Sequence, residues 1–278
     1  MLTGCGGDAG TAGVPGAPAK KGDAETVMSI LYQQQAGEYR ALCLQAYNMA
    51  KNKVSRSVNM KTDKDSLAVI TDLDETALDN SDNEAQNFLD SVGYTDERFA
   101  AWARAKKAGA VPGSVAFFNF VNGLNAHLKK KIDIFYVSNR DSSLVQVTMD
   151  NMAQLGFPQL SPGHFLFQTD HKKPSKEGRR QLIEKNHAVI LLLGDNLIDL
   201  DSTFDSQHKL TEGERRHRVD SLAGYFGDKY IVFPNAVYGD WEGALYNYRY
   251  PAGDSIMQIR RDSLHGYLRR TLNTKPTP

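Results

Sequence analysis

Apolar residues along this chain follow two spacings that predict different elements. Several short stretches are continuously apolar, which is typical of strands buried on both faces of a parallel sheet. They predict strands at residues 67–73, 132–137, 165–167, 188–193 and 230–233. The segments between them carry apolar residues three or four positions apart, the spacing of helices that bury one face. Strands that alternate with helices predict an α/β fold, a parallel sheet with helices on both faces.

Two of the predicted helices have recognisable ends. Ser114 is a candidate N-cap for one helix, and Gly156 is the candidate end of another. Helices are predicted within residues 24–57 (one or two helices), 114–124, 144–155 and 176–186. The inward face of the first segment is predicted to consist of Val27, Ile30, Leu31, Leu42, Ala46 and Met49.

Two segments fall outside this alternation. Residues 1–23 are predicted to form a disordered tether, because beyond position 5 they are mainly Gly, Ala, Pro, Thr and Lys. Residues 80–110 are polar and aromatic with helical stretches, and we expect them to form part of a smaller, mainly helical cap. Within the domain 24–278, the core is predicted from 64–80, 111–205 and 229–234, and the cap from 24–60, 80–110 and 206–228.

Composition narrows the choice of partners. Acidic and basic residues balance at 33 each in 278 residues, so we expect no nucleic-acid polymer as a partner. The chain contains no run of about 18 apolar residues, the length at which a membrane-spanning helix is inferred.

Polar residues follow three of the predicted strands. Asp72 and Asp74 come after the first strand, Ser138 after the second, and Asp195 with Asp199 after the fourth. The carboxyl ends of strands in an open parallel sheet lie at one edge, where ligands bind. Clustered carboxylates repel unless a cation is present, and ligand sets made only of oxygen suit Mg²⁺. One carboxylate could then attack a phosphorus atom while another moves the proton of the leaving group.

Simpler interpretations remain open for single residues. Asp195 or Ser138 could cap the helix that follows its strand, and Asp199 could be a surface residue. Lys176, just before a predicted helix, could be a solvated helix residue. Two acidic strand ends together with a hydroxyl-bearing one favour a shared site over these alternatives.

The motifs resemble those of the haloacid dehalogenase (HAD) superfamily, and within it the class C acid phosphatases, bacterial lipoproteins that include 5'-nucleotidases. The segments that carry the resemblance are Asp72-Leu73-Asp74-Glu75-Thr76, Val137-Ser138-Asn139-Arg140, Lys176, Gly194-Asp195-Asn196-Leu197 with Asp199, and 234–244. The resemblance covers about residues 25 to 250 and implies a HAD-like core with a cap. It also implies an acid phosphatase that acts on small phosphomonoesters.

The resemblance implies a role for each motif residue. Asp72 would be the nucleophile that forms an aspartyl-phosphate, and Asp74 the general acid and base. Ser138, Asn139 and Lys176 would bind phosphoryl oxygens, although Lys173 competes with Lys176 because Pro174 makes this loop unusual. The Mg²⁺ ligands would be Asp72, the Asp74 carbonyl, Asp195 and, directly or through water, Asp199.

Substrate preference is predicted from two aromatic residues. Trp102 in the expected cap and Tyr238 in a late loop match positions where the family places aromatics near the site. Two such rings would sandwich the base of a nucleoside 5'-monophosphate or the ring of nicotinamide mononucleotide. Each ring could instead be a core residue, which would fit a phosphatase for sugar phosphates or other small metabolites. A surface ligand-binding lipoprotein with secondary catalysis is a third alternative, disfavoured by the clustered carboxylates.

Cys5 suggests attachment to a membrane. Leu2-Thr3-Gly4-Cys5 resembles the lipobox of bacterial lipoproteins, although the charged and apolar parts of a signal peptide are not seen. We expect a lipid anchor at Cys5 and an extracytoplasmic location in a bacterial envelope, at the outer membrane. The family resemblance leaves a homodimer open, and the sequence indicates no interface.

Overall fold

The computed structural model describes residues 23–170, 175–249, 255 and 258–264, and these form an α/β fold around a parallel sheet. The strands are β1 (Ser66–Thr71), β2 (Leu78–Asp79), β3 (Gly109–Ala110), β4 (Ile132–Asp141), β5 (Phe165–Gln168), β6 (His187–Gly194) and β7 (Tyr230–Val232). Five of them form the parallel sheet in the order β5-β4-β1-β6-β7, and β2 pairs with β3 antiparallel. The predicted parallel α/β sheet is confirmed.

Helices lie before, between and after these strands. They are α1 (Asp23–Gln35), α2 (Gly37–Ser57), α3 (Ser81–Leu89), α4 (Asp96–Ala105), α5 (Ser114–Leu124), α6 (Val145–Leu155), α7 (Glu177–Glu184), α8 (Glu212–Ser221) and α9 (Asp240–Leu245). Residues 258–264 are also helical. Gly156 ends α6 in a left-handed conformation, as predicted. Ser114 is the first residue of α5, and the N-cap position belongs to Gly113 at φ +93°, so the predicted N-cap was one residue late.

The central strand, β1, is continuously apolar because both of its faces are covered. Leu67 and Val69 belong to the larger hydrophobic cluster on one face of the sheet. Ala68 and Ile70 belong to a second cluster on the other face, together with Ile183 of α7. Successive strand residues point to opposite faces, so a strand covered on both sides needs apolar residues at every position.

The long helix α2 packs a narrow stripe into the core. Its buried positions are Tyr39, Cys43, Ala46, Tyr47, Ala50, Val54 and Ser57, which recur every three or four residues. Leu42 is 42% exposed and Leu31 of α1 is 43% exposed, so both predictions of an inward-facing residue were wrong. Each lies directly before or after a buried neighbour, Cys43 or Ile30, and one residue is about 100° of rotation around a helix.

The predicted division into core and cap stays a prediction, but the packing of two helices bears on it. α2, assigned to the cap, packs against β6, β7 and α5 within the main core. α1 packs against α3 and against α2. Residues 1–22 of the predicted tether, which include Cys5, lie outside the described residues, as does Lys173, and Asp23 begins α1. Across the described ranges, no helix has the length and apolar character needed to cross a membrane.

Candidate active site

The loop after β1 fixes the two carboxylates of the first motif. The backbone N–H of Asp72 donates to Leu193 O of β6 at 2.9 Å, so this residue still follows the sheet. The chain then turns tightly, with Leu73 O accepting the backbone N–H groups of residues 77 and 78 at 2.8 Å each. Glu75 adopts φ +55°, a left-handed conformation that is uncommon for residues other than glycine.

Three carboxylates meet at this edge of the sheet. Asp72, Asp195 and Asp199 each offer an oxygen within 4.8 Å of the other two. Asn235 Nδ2, from the loop after β7, donates to Asp195 Oδ2 at 2.8 Å. The backbone N–H of Asn196 donates to Asp199 Oδ2 at 3.1 Å. The strand ends predicted to converge do so.

Lys176 supplies a positive charge inside this group. Its ammonium donates to Asp72 and lies 2.6 Å from Asp199 Oδ1, and the lysine is 3% exposed. The lysine directly precedes α7, and Arg180 one turn later donates to the carbonyl oxygens of Ile198 at 2.8 Å and Asp199 at 3.0 Å. Arg180 thereby holds α7 against the turn that carries Asp199.

The protonation of the carboxylates reflects their crowding. Burial raises the pKa of Asp72, Lys176 lowers it, and the charges of Asp199 and Asp74 raise it again, giving a value of about 7. Burial, followed by the charges of Asp199 and Asp72, raises the pKa of Asp195 well above its usual range. The group is therefore one that a bound cation would stabilise in its ionised form.

Asp74 has a different environment from Asp72, although only one residue separates them. Arg140 Nη2 donates to Asp74 Oδ1 at 2.7 Å, and Asn80 Nδ2 donates to the same oxygen at 2.8 Å. Burial raises the pKa of Asp74, but Arg140, Asn80 and Lys176 together outweigh burial, and the pKa lies below the usual value. The two carboxylates are thus held in separate charge environments, which suits two different chemical roles.

The polar residues in the last part of β4 face the site unequally. Ser138 Oγ lies 3.5 Å from Asp74 Oδ2 and accepts the backbone N–H of Arg140 at 3.1 Å. Asn139 is exposed, and its Oδ1 accepts from Arg179 at 2.5 Å. The structure therefore brings Ser138 to Asp74, while the Asn139 side chain contacts α7.

The aromatic pair is anchored to the loop after β1. Trp102 of α4 donates its indole N–H to Asn80 Oδ1 at 2.9 Å. Tyr238 donates its hydroxyl to Glu75 and is 36% exposed. Both rings are tied through polar atoms to residues next to Asp74, and Trp102 also packs against the larger hydrophobic cluster.

Comparison with known proteins identifies the family. The family model described as HAD superfamily, subfamily IIIB (acid phosphatase) matches residues 13–241. The chain belongs to this family.

Solved structures agree with that assignment. The class C acid phosphatase from Bacillus anthracis is 35% identical, has a TM-score of 0.78, and is matched over 92% of this chain and 99% of that one. A structure of the Bacillus anthracis enzyme with tungstate bound gives a TM-score of 0.79 at the same identity and coverage. The predicted resemblance and HAD-like fold are confirmed, and this acid phosphatase is a phosphomonoesterase.

Several residues that build the phosphatase site were not predicted. Arg140, Glu75 and Asn235 lie in the motif segments that carry the resemblance, but the sequence assigned them no role. Asn80 had no signal in the sequence. Its contact with Trp102, that of Glu75 with Tyr238 and that of Asn235 with Asp195 form only when distant segments meet.

The donor set of the phosphatase fits a divalent cation. Asp72, Asp195 and Asp199 offer only oxygen, the ligand type of hard cations. The Asp74 carboxylate is not part of this trio, since Arg140 and Asn80 hold it. The trio could hold a cation with waters and substrate oxygens completing its coordination.

Proposed function

We propose that this acid phosphatase hydrolyses phosphomonoesters with the aid of Mg²⁺, through an aspartyl-phosphate on Asp72. Its substrates are nucleoside 5'-monophosphates or nicotinamide mononucleotide. The observation that carries the proposal is the meeting of Asp72, Asp195, Asp199 and Lys176 at one strand edge. A buried nucleophile beside a lysine and a cation site is the arrangement that attack on an anionic phosphate needs.

The reaction divides between the two carboxylates of the first motif. An Asp72 oxygen attacks phosphorus, and the bond to the ester oxygen breaks. The pKa of Asp74 lies below its usual value, so Asp74 takes up a proton from solvent and passes it to the departing alcohol. Asp74 then takes a proton from a water that attacks the phosphorus, which releases phosphate and restores the Asp72 carboxylate. Mg²⁺, when bound, supplies positive charge that reduces repulsion between Asp72 and the phosphate.

The remaining residues bind the phosphoryl group. The Lys176 ammonium contacts Asp72, within reach of any oxyanion that this carboxylate attacks. Ser138 Oγ lies 3.5 Å from Asp74 Oδ2, on the leaving-group side in this assignment. Asn139 contributes through its backbone, because its side chain is engaged by Arg179. The tungstate bound to the Bacillus anthracis enzyme is a tetrahedral oxyanion like phosphate, which supports an oxyanion site in this family.

The preference for nucleotides rests on Trp102 and Tyr238. Their polar atoms bind Asn80 and Glu75, beside the candidate acid, so their rings lie near the leaving group. A stacked aromatic base contributes about 1–3 kcal/mol per ring contact, which a sugar phosphate cannot gain.

A substrate panel tests the whole proposal. Purified protein is stripped of metal with a chelator and assayed on a nucleoside 5'-monophosphate, nicotinamide mononucleotide and a sugar phosphate, with and without added Mg²⁺. We expect hydrolysis only with added metal, and higher kcat/KM on the two ring-bearing substrates. Full activity in chelator contradicts the metal requirement. A higher kcat/KM on the sugar phosphate instead supports the alternative metabolite phosphatase.

A further inference from the structure

Asn80 lies at the junction between the loop after β1 and the α3–α4 segment. It is 1% exposed and sits between β2 and α3. Its backbone N–H donates to Glu75 Oε1 at 2.9 Å, which attaches this junction to the active-site loop. Asn80 therefore joins the loop after β1 to the α3–α4 segment.

The side-chain amide of Asn80 has a partner on each side. Its Nδ2 donates to Asp74 Oδ1 at 2.8 Å and to Glu75 Oε2 at 3.3 Å. Its Oδ1 accepts from Trp102 Nε1 at 2.9 Å and from Arg140 Nη2 at 3.5 Å. The indole and the guanidinium can only donate, so the amide can face them only with its oxygen.

We propose that Asn80 is a positioning residue that couples the Trp102 indole to the Asp74 carboxylate, so that the substrate platform and the leaving-group acid are placed together. This inference rests on the proposed function, in which Asp74 protonates the departing alcohol. Asn80 itself touches no reacting atom, and its effect passes through the orientation of Asp74.

The proposed positioning role depends on hydrogen bonds that hold the Asp74 carboxylate from more than one direction. Arg140 approaches both carboxylate oxygens from one side, and Asn80 adds a second donor to Oδ1. Because Asn80 is buried, water cannot easily replace that donor after the amide is removed. Without Asn80, the Asp74 carboxylate would keep Arg140 and the long 3.5 Å contact of Ser138 Oγ with Oδ2. It could then tilt about the guanidinium, and a small misplacement of a catalytic group costs rate steeply.

Leaving-group dependence distinguishes this role from a structural one. Phenyl phosphate and p-nitrophenyl phosphate present nearly the same ring, but phenolate is the far stronger base and needs protonation more. For Asn80→Ala we expect kcat/KM on phenyl phosphate to fall about 10- to 100-fold, and on p-nitrophenyl phosphate less than about threefold. Equal losses on both substrates would overturn the proposal.

Two further variants separate this proposal from the proposed function. Asp74→Asn must itself lose more activity on phenyl phosphate than on p-nitrophenyl phosphate. If it does not, Asp74 is not the acid and the proposed function fails, whatever Asn80 does. Asn125→Ala is the matched control, because this asparagine bonds the backbone of Ile132 at the opposite end of the sheet. We expect the ratio of the two substrates to stay unchanged in Asn125→Ala.

A double-mutant cycle tests the coupling to Trp102. Trp102→Phe keeps an aromatic ring but removes the N–H that binds Asn80. We expect it to lower kcat/KM on phenyl phosphate more than on p-nitrophenyl phosphate, with no additional loss when combined with Asn80→Ala. Additive losses, or a substrate ratio unchanged by Trp102→Phe, would overturn the proposal. The substrate ratio of the Trp102→Phe single variant still tests the proposal even if Asn80→Ala fails to fold.

Discussion

Arg140 holds the Asp74 carboxylate by both of its oxygens. Nη2 lies 2.7 Å from Oδ1, and Nε lies 3.1 Å from each oxygen. The two side chains are 2% and 20% exposed, and Arg140 also donates to Thr148 of α6 at 2.9 Å. The ion pair therefore connects the loop after β1 to the helix that follows β4, in a setting where neither charge is well hydrated.

Removing one side of this pair should be costly. For Arg140→Ala we expect a loss of about 3–5 kcal/mol in the free energy of unfolding, because a buried carboxylate is left without its counter-ion. Arg98→Ala is the control, since Arg98 and Asp90 are 39% and 41% exposed, and exposed pairs contribute about 0–1 kcal/mol. Urea denaturation of both variants measures the difference. Similar losses of stability in the two variants would show that burial does not determine how much the Arg140–Asp74 pair contributes to stability.

Asp72 should be indispensable for turnover but not for the fold. Asp72→Asn keeps the shape of the side chain and removes its nucleophilic charge, so we expect kcat to fall by at least about 10³-fold. Asp133→Asn is the isosteric control, because Asp133 bonds His187 near the start of β4, far from the site. Near-normal hydrolysis by Asp72→Asn would refute the nucleophile assignment. Circular dichroism checks that the fold is kept.

Mg²⁺ should stabilise the protein most at neutral pH. Without metal, the raised pKa of Asp72, about 7, means that the folded state binds a proton that the unfolded state releases above its ordinary value of 3.8. This contribution therefore makes metal-free protein less stable as pH rises from about 4 to 7. Asp195 acts in the same direction, because its pKa is also raised. A divalent cation binds the ionised carboxylates, so its effect has the opposite pH dependence.

Thermal unfolding at several pH values measures this linkage. We expect Mg²⁺ at 100 times its dissociation constant to add about 2.7 kcal/mol near pH 7, and much less near pH 5. Asp195→Asn should abolish the Mg²⁺ effect by removing one of the three clustered carboxylates. Ca²⁺ provides a comparison, because a larger cation fits the same oxygens with different geometry. Equal Mg²⁺ stabilisation at both pH values would contradict the assigned ligands.

The fold was predictable because its signals are local. A strand covered on both faces must be continuously apolar, so residues 67–70 and 188–193 can be recognised as strands from the sequence. Parallel strands bring their polar ends to one edge of the sheet. This is why Asp72, Asp195 and Asp199 could be grouped before the structure was known. Which residues of a helix are exposed is harder to predict from the local sequence. Leu42 is apolar, yet it lies outside the buried stripe of α2.

The hydrogen bonds that hold Asp74 and its partners could not be predicted from the sequence, because they join segments that are far apart along the chain. Asn80 meets Trp102 across 22 positions and Arg140 across 60. No spacing rule relates these residues, and each is an ordinary polar or aromatic residue in its own segment. The left-handed conformation of Glu75, which turns its carboxylate toward Tyr238, likewise has no marker such as glycine in the sequence.

Gly194 should be required for the position of Asp199. A Cβ built at residue 194 would overlap the Cβ of Asp199 and lie 2.6 Å from its Oδ2. Because the clash involves the base of the aspartate side chain, rotation of that side chain cannot relieve it. We therefore expect Gly194→Ala to displace the carboxylate from Lys176, Asp72 and the cation site.

The expected result has two parts. Gly194→Ala should lose about 1–3 kcal/mol of stability through overpacking, and its Mg²⁺ affinity, measured by calorimetry, should fall at least about tenfold. Gly123→Ala is the matched control: a Cβ at this position in α5 meets nothing within 4 Å, so stability should stay equal or rise by about 0.5–1 kcal/mol. If Gly194→Ala binds Mg²⁺ as tightly as the unmodified protein, then Asp199 is not one of the groups that hold the cation.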